Sequence, residues 1–143
     1  MKLKEIMTSP VISIHPEETV AVAARLLQQY NIGVLPVCDE AGALRGLVTD
    51  RDLVTRCVAA GRSAEKTRVS EVMTSSVVAA GPEMDAGAAA YLMGRQQIRR
   101  LPVMEQGKLR GMVTLGDLAN REETGYDAAD ALGEICCNVS KRI

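Results

Sequence analysis

Two stretches of this chain combine a threonine hydroxyl and an aspartate carboxylate at the same spacing. They are Gly46–Asp52 (GLVTDRD) and Gly111–Asp117 (GMVTLGD), and both follow the pattern Gly-apolar-Val-Thr-x-x-Asp. In each, an apolar strand-like run ends at the valine and a helix is predicted to begin. Backbone N–H groups at a helix start favour a phosphate, to which threonine can also donate. An aspartate three residues later can accept hydrogen bonds from two ribose hydroxyls, so the pattern has the chemistry to bind a nucleotide.

A purely structural interpretation of the same pattern stands beside the first. Thr-x-x-Asp is a variant of the capping box, in which the threonine side chain and the carboxylate each accept a hydrogen bond from the other residue's N–H. Thr49 with Asp52, and Thr114 with Asp117, would then only fix the start of a helix. Duplication would preserve both caps, so the second copy does not decide between the two interpretations.

The pattern occurs twice because most of the chain is duplicated. Met7–Ser9 recurs as Met73–Ser75 at an offset of 66 residues, and Leu35–Val37 (LPV) recurs as Leu101–Val103. One residue is then lost in a turn, and LRGLVTDRDL from residue 44 matches LRGMVTLGDL from residue 109. Self-similarity of this length indicates two copies of one supersecondary unit.

Each copy is predicted to fold in the order β-α-β-β-α. In the first copy, Val11–Ile14 is a β-branched strand and Pro16–Glu18 opens a helix with acidic residues in its first turn. Asn31 or Gly33 can end that helix in a left-handed cap. The remaining predicted elements are strands at Val34–Cys38 and Leu44–Val48, a hairpin turn at Asp39–Gly42, and a helix from Asp50 to Ala60 that Gly61 ends.

The predicted fold class is α+β, with the two repeats related by a pseudo-twofold axis and followed by a C-terminal helical tail. The repeats span residues 4–60 and 69–120, a polar linker covers 61–68, and the helical extension covers 121–143. Cys136 and Cys137 fall in a predicted helix at Tyr126–Val139, where packing is expected and redox sensing is the alternative. Because one copy alone would be marginally stable, the two are expected to share a core and leave two clefts between them.

Composition argues against several functional classes. The 143 residues carry 17 basic and 18 acidic side chains, no Phe, no Trp and three Tyr, so neither phosphate neutralisation nor base stacking favours nucleic acid. An aliphatic core follows from the same count. Four cysteines without a C-x-x-C pair, and one histidine, do not make a zinc site. No apolar run reaches the length of about 18 residues that a membrane span needs. The start of the chain, MKLKEIMTSP, does not have the pattern of a signal peptide. Together these features predict a cytoplasmic protein with reduced thiols.

The repeat order, the MTSPV opening, the LPV strand and the Gly-apolar-x-Thr-x-x-Asp ending together resemble a tandem pair of CBS (cystathionine β-synthase) domains, also called a Bateman module. The resemblance covers about Lys4 to Ala119. In that family such pairs bind AMP, ADP, ATP or S-adenosylmethionine and usually regulate another activity. The resemblance therefore implies an adenosine-containing ligand and no required cofactor.

The resemblance also implies which residues bind. The family aspartate that holds ribose corresponds to Asp52 and Asp117, and the family hydroxyl near the phosphate corresponds to Thr49 and Thr114. The family's adenine rests against the first strand of the other repeat. That stretch is Thr74 to Val78 for the Asp52 cleft and Thr8 to Ile12 for the Asp117 cleft.

The two clefts are not expected to be equal. Arg99 and Arg100 precede the LPV strand of the second repeat, where the first repeat has Gly33 and Val34. Basic residues at this point in the family often face phosphates, and the guanidinium fork matches phosphate oxygens. We expect Arg99 or Arg100 to favour a charged nucleotide over a neutral nucleoside. The alternative is that both are solvated residues at a helix C-terminus.

These features predict a non-catalytic regulatory module that binds an adenosine nucleotide and responds by conformational change or self-association. A homodimer, and an unidentified protein partner, are the expected outputs because no enzyme domain is apparent. The first alternative is a structural or protein-interaction module with empty clefts. The second is a nucleic-acid-binding CBS pair, against which composition argues.

Overall fold

A computed structural model describes residues 1–140, with side chains described as far as Cys137. The chain forms two compact units. One consists of Ile12–Val77 and is called the Asp52 unit below. The other combines Met1–Val11 with the chain from Val78 onward and is called the Asp117 unit. Each unit therefore takes its leading segment from the other sequence repeat.

The Asp52 unit contains a two-stranded antiparallel sheet between helices. Its elements are α1 (Val20–Tyr30), β1 (Val34–Cys38), β2 (Leu44–Thr49) and α2 (Asp50–Leu53), which continues as a π-helical turn at Val54–Val58; a 3-10 turn at Val69–Glu71 follows. The register of the sheet places Val34 opposite Thr49. The predicted hairpin is confirmed, and β2 runs directly into α2 at the first threonine-aspartate motif.

Helix α1 begins later than the sequence predicted. Pro16–Glu18 forms a turn, and Thr19 is the N-cap, whose Oγ1 accepts from the N–H of Val22 at 3.3 Å. The predicted linker supplies the other early acceptors, because Val20 N–H donates to Thr67 at 2.9 Å and Ala21 N–H donates to Ala64 at 2.9 Å. A helix starts where acceptors are available for its first unpaired N–H groups. Here such acceptors serve a helix that starts after Thr19, not one that starts at Pro16.

The C-terminal cap of α1 is confirmed at Asn31, which has a φ of 50° and a ψ of 50°. Asparagine tolerates this left-handed conformation better than most residues with a β-carbon. The chain can therefore reverse from α1 into β1 without a glycine at the cap.

The strand predicted at Val11–Ile14 is wrong in length. Only Ile14 pairs, as an isolated parallel bridge in which its N–H donates to Pro36 at 3.0 Å and its carbonyl accepts from Cys38 at 3.0 Å. Val11 belongs to the other compact unit, and of the three remaining residues only Ile14 forms a bridge to β1. The second repeat has the same single bridge at Ala80, opposite Val103.

The Asp117 unit repeats the arrangement and adds a helix. Its elements are α3 (Ala86–Gln96), β3 (Arg100–Glu105), β4 (Lys108–Thr114), α4 (Leu115–Ala119) and α5 (Gly125–Ser140), with a 3-10 turn at Leu3–Glu5. Arg100 lies opposite Thr114 across the antiparallel pair. Helix α5 confirms the predicted C-terminal helix; the last residues of the predicted extension, 141–143, lie outside the described residues.

The leading segment of each repeat is bound to the β-hairpin of the other repeat. Thr8 and Met112 exchange backbone hydrogen bonds of 2.8 and 3.1 Å, and Thr74 and Leu47 exchange hydrogen bonds of 2.8 and 3.0 Å. At Gly46, an added β-carbon would lie only 2.6 Å from the carbonyl oxygen of Thr74. The glycine of each motif is therefore needed for this close approach of two backbones.

Both units bury aliphatic side chains, as the composition predicted. In the Asp52 unit the core includes Leu35, Val37, Val48, Val69 and Val72, all fully buried. In the Asp117 unit small residues of α3 and α5 form one part of the core. Its buried members on those helices are Ala86, Ala89, Ala90, Met93, Ala128, Ala131 and Ile135. Their size lets α5 lie close against α3.

Candidate nucleotide site

The threonine-aspartate motifs form complete capping boxes in both units. Asp52 N–H donates to Thr49 Oγ1 at 3.1 Å, and Thr49 N–H donates to Asp52 Oδ2 at 3.0 Å. At α4 the corresponding distances are 3.1 Å for Asp117 N–H to Thr114 Oγ1 and 2.8 Å for Thr114 N–H to Asp117 Oδ2. The capping interpretation is therefore correct for the local geometry of both motifs.

The caps leave part of each carboxylate for other partners. They use Oδ2 of Asp52 and Oδ2 of Asp117. Oδ1 of Asp52 lies 3.9 Å from Arg56 Nε, whereas Oδ1 of Asp117 makes no hydrogen bond or ion pair with residues 1–137, whose side chains are described. A carboxylate oxygen has two lone pairs, so capping and ligand binding are compatible at Asp117.

Most of the residues that the sequence analysis assigned to each cleft belong to one compact unit. Thr49, Asp52 and Thr74 share one unit, and Thr74 is joined to β2 by backbone hydrogen bonds. Thr8, Thr114 and Asp117 share the other unit with Arg99 and Arg100. Ile12 and Val78 lie at the unit boundaries: Ile12 packs against the core of the Asp52 unit and Val78 against that of the Asp117 unit. Their assignment to the opposite clefts stays a prediction.

The surroundings of Asp52 are occupied by an arginine. Arg56 Nη1 donates to the carbonyl oxygens of Val72 at 3.1 Å and Met73 at 3.0 Å, and its Nε faces Asp52 Oδ1. The guanidinium thus joins the aspartate to the segment that immediately precedes Thr74. The Asp52 side chain is only 13% exposed.

The surroundings of Asp117 are open. A cleft of about 420 Å³ is lined by Ile6, Asp117, Asn120 and Arg121. Arg121 is exposed, and its guanidinium makes no ion pair with the described part of the chain. The sequence analysis missed Ile6, Asn120 and Arg121. The 65-residue offset pairs Arg121 with Arg56, so extending the repeat alignment by one helical turn would have found this arginine.

The residue facing the motif threonine also differs between the units. Arg100 stands directly across the hairpin from Thr114, where the Asp52 unit has Val34 opposite Thr49. Cross-strand neighbours have β-carbons about 5 Å apart on the same face of a sheet. Arg99 contributes its backbone, since its carbonyl accepts from Leu115 N–H at 2.8 Å.

The charged residues at the two helix starts differ as well. Asp50 Oδ1 accepts from the N–H of Arg51 at 2.9 Å. The residues at the equivalent sequence positions in the Asp117 unit are Leu115 and Gly116, which carry no charge. The additional carboxylate of the Asp52 motif is accompanied by Arg51, so both motifs carry one net negative charge, and the Asp117 motif has Arg100 across the sheet.

The thiols do not add a metal site. Residues 1–140 contain no group of three His, Cys, Asp or Glu side chains placed to hold a metal ion. Burial raises the pKa of the Cys38 thiol. The expectation that Cys136 and Cys137 pack is wrong: both are exposed, because α5 buries the face formed by Ala128, Ala131 and Ile135. Within the same residues no helix is both long and apolar enough to cross a bilayer.

Comparison with known families agrees with this architecture. The family model for the CBS domain matches residues 3–59 and again residues 69–123. The chain belongs to the CBS domain family and carries two CBS domains in tandem. The sequence resemblance is thereby confirmed over both repeats.

Several relatives extend over nearly the whole chain. The CBS domain-containing protein YhcV of Bacillus subtilis is 42% identical over 133 residues, which cover 93% of this chain and 94% of that protein. The crystal structure of Hypoxic Response Protein I with two coordinated zinc ions has a TM-score of 0.78 at 29% identity and covers 85% of this chain and 98% of that one. The CBS domain pair of protein MJ0100, in complex with 5-methylthioadenosine and S-adenosyl-L-methionine, has a TM-score of 0.75 at 29% identity and covers 83% and 93%.

Proposed function

We propose that this chain is a non-catalytic regulatory module that binds an adenosine-containing nucleotide, of the class AMP, ADP, ATP or S-adenosylmethionine. The observation that carries the proposal is the open cleft at Asp117, which is lined both by this aspartate, whose Oδ1 has no partner in residues 1–137, and by Arg121, whose guanidinium makes no ion pair there. A structural neighbour of the same family is described in complex with two adenosine-derived ligands, which supports this ligand class.

The residues of the Asp117 unit offer complementary groups for each part of such a ligand. Asp117 Oδ1 accepts from a ribose hydroxyl while Oδ2 keeps the cap. Arg100, across from Thr114, supplies charge for a phosphate or carboxylate. The segment around Thr8 is fixed beside β4 by its hydrogen bonds to Met112, and the base is proposed to rest against the residues that follow Thr8.

Signalling follows from the origin of these groups. The Thr8 segment comes from the first repeat, whereas Thr114 and Asp117 come from the second. A ligand that contacts both would stabilise the packing of the leading segment against the hairpin. Such a ligand shifts the population of any conformations that differ in this packing, by as much as its affinity for them differs.

Self-association is the second proposed output. In the Asp117 unit, α5 packs closely on α3, since a β-carbon at Gly94 would lie 3.1 Å from Ala131 Cα. The Asp52 unit has no such helix, and Val54 and Val58 of its π-helical turn are 58% and 68% exposed. We propose that a second copy of the chain covers this face to form a homodimer.

The experiment that tests nucleotide binding separates it from capping. Asp117→Asn keeps an oxygen that accepts from Thr114 N–H, but replaces the other carboxylate oxygen with an N–H₂ donor. Loss of a hydrogen bond to a charged group costs about 1.5–3 kcal/mol, so calorimetry should record about 10- to 150-fold weaker binding of AMP or S-adenosylmethionine. Equal affinity in the wild type and the variant would remove the ribose role.

The structural alternative makes the opposite prediction. If the motifs only cap helices, none of AMP, ADP, ATP, S-adenosylmethionine or NAD at millimolar concentration will shift the melting temperature. Asp117→Asn would then leave stability nearly unchanged, and Asp117→Ala would lower it by about 1 kcal/mol through loss of the cap. Salt-sensitive retention on nucleic acid would instead favour the third candidate.

A further inference from the structure

Arg56 and Arg121 occupy equivalent positions in the two repeats and have different environments. Arg56 is bound to two carbonyl oxygens and lies beside Asp52, whereas Arg121 lines an open cleft beside Asp117. The carbonyls that Arg56 contacts belong to Val72 and Met73, whose counterparts at the 66-residue offset are Ile6 and Met7. Ile6 lines the open cleft.

The difference has a cause in the local backbone. In the first repeat, helix α2 continues through Val54–Val58, which places Arg56 one turn after Asp52 and on the same helix face. From this position the guanidinium reaches past Asp52 to the carbonyl oxygens of Val72 and Met73. Nη1 of Arg56 thereby donates to two carbonyl oxygens beside the motif, and its Nε faces Asp52.

In the second repeat the helix stops earlier. Helix α4 ends at Ala119, and the buried hydroxyl of Thr124 donates to Leu118 O at 2.6 Å, which satisfies a carbonyl at the helix end. Arg121 comes after the end of α4, so it does not lie on a further turn of the same helix as Asp117. Its side chain therefore lines the cleft without bridging Asp117 to the carbonyls near Ile6.

We propose that Arg56 closes the Asp52 site, and that each chain binds one nucleotide, in the Asp117 cleft. The inference rests on the proposed function. The Arg56 guanidinium lies between the aspartate that would hold ribose and the carbonyls of Val72 and Met73, which come immediately before the segment that would contact the base. A ligand entering there must break two charge-assisted hydrogen bonds, and each is worth about 10- to 150-fold in affinity.

Charge supports the same assignment. With Arg56 in place, Asp52 already has a cation beside its second carboxylate oxygen. Asp117 Oδ1 has no such partner among the described residues and remains available as an acceptor. The phosphate-compatible side chain, Arg100, also belongs to the Asp117 unit.

Calorimetric titration with AMP and with S-adenosylmethionine gives the stoichiometry that tests the proposal. The wild type should bind one ligand per chain, Asp117→Asn should weaken that event at least 10-fold, and Asp52→Asn should leave it unchanged. Arg56→Ala should open the second site and raise the stoichiometry to two. Arg62→Ala is the matched control, because Arg62 is also ion-paired in the Asp52 unit, with Glu71, but lies outside the motif.

Each other outcome counts against the proposal. Two ligands per wild-type chain, or a single ligand lost in Asp52→Asn, would show that Arg56 does not close the site. A folded Arg56→Ala that still binds one ligand would do the same, and Arg56→Gln replaces it if the alanine variant fails to fold. No binding by the wild type would instead reject the proposed function together with the inference, so the two failures are distinct.

Discussion

Gly46 is the position at which one added carbon should do the most damage to the Asp52 unit. A β-carbon there would meet the Thr74 carbonyl oxygen at 2.6 Å and Met73 Sδ at 2.9 Å. The thioether can rotate away, but the carbonyl oxygen cannot, because its own residue is hydrogen-bonded to Leu47 in both directions. We therefore expect Gly46→Ala to push the leading segment off β2.

The magnitude follows from two contributions. Overpacking a tight contact costs about 1–3 kcal/mol, and the loss of two backbone hydrogen bonds adds about 0.5–1.5 kcal/mol each. Because the segment can relax, the contributions overlap, and we expect Gly46→Ala to lower the free energy of unfolding by about 2–4 kcal/mol. Urea denaturation followed by far-UV circular dichroism measures it as a shift in the transition midpoint.

A second glycine provides the control. Gly133 lies in the exposed face of α5, and a β-carbon there would meet nothing within 4 Å. Gly133→Ala should raise stability by about 0.5–1 kcal/mol, because glycine is a poor helix residue. If the free energy of unfolding of Gly46→Ala lay within about 0.5 kcal/mol of the wild-type value, the close approach of Thr74 to β2 would not be needed for the stability of the unit.

Two further changes test other contacts. Lys2 and Lys4 hold the pKa of Glu83 at about 2, below its usual 4.5, so this carboxylate stabilises the protein above pH 4.5 and loses that effect as pH falls towards 2. The wild-type melting temperature should thus fall more steeply between pH 4.5 and 2 than that of Glu83→Gln, while Glu18→Gln, which is exposed, should follow the wild type. Separately, Val58→Asp should dissociate the proposed homodimer at the same concentration at which the wild type is dimeric by analytical ultracentrifugation; a wild type that sediments as a monomer would reject that interface.

Local signals were enough to predict the hairpins and most helices. The αL cap at Asn31 and the LPV strands were confirmed because residue type alone restricts the backbone there. The start of α1 was predicted too early because Thr67 and Ala64, which accept its first N–H groups, are far away in sequence. No periodicity in residues 16–20 reveals those acceptors.

The candidate site was only partly predictable for a similar reason. Spacing identified Thr49, Asp52 and their counterparts, and it also gave the correct alternative that they cap helices. Spacing could not show that Arg56 reaches the carbonyls of Val72 and Met73, since that contact depends on a helix that continues in one repeat and stops in the other. The difference between the two motifs is a tertiary property.

The crossed leading segments have a consequence for how the duplicated gene can be divided. A fragment that ends within residues 61–68 would keep β1 and β2 but lack Thr74, which pairs with β2. The remaining fragment would keep β3 and β4 but lack Thr8, which pairs with β4. Each half would expose an unpaired sheet edge, which invites association with the other half. Separately expressed halves should therefore reconstitute one another in a mixture, and neither copy could be deleted without unfolding the one that remains.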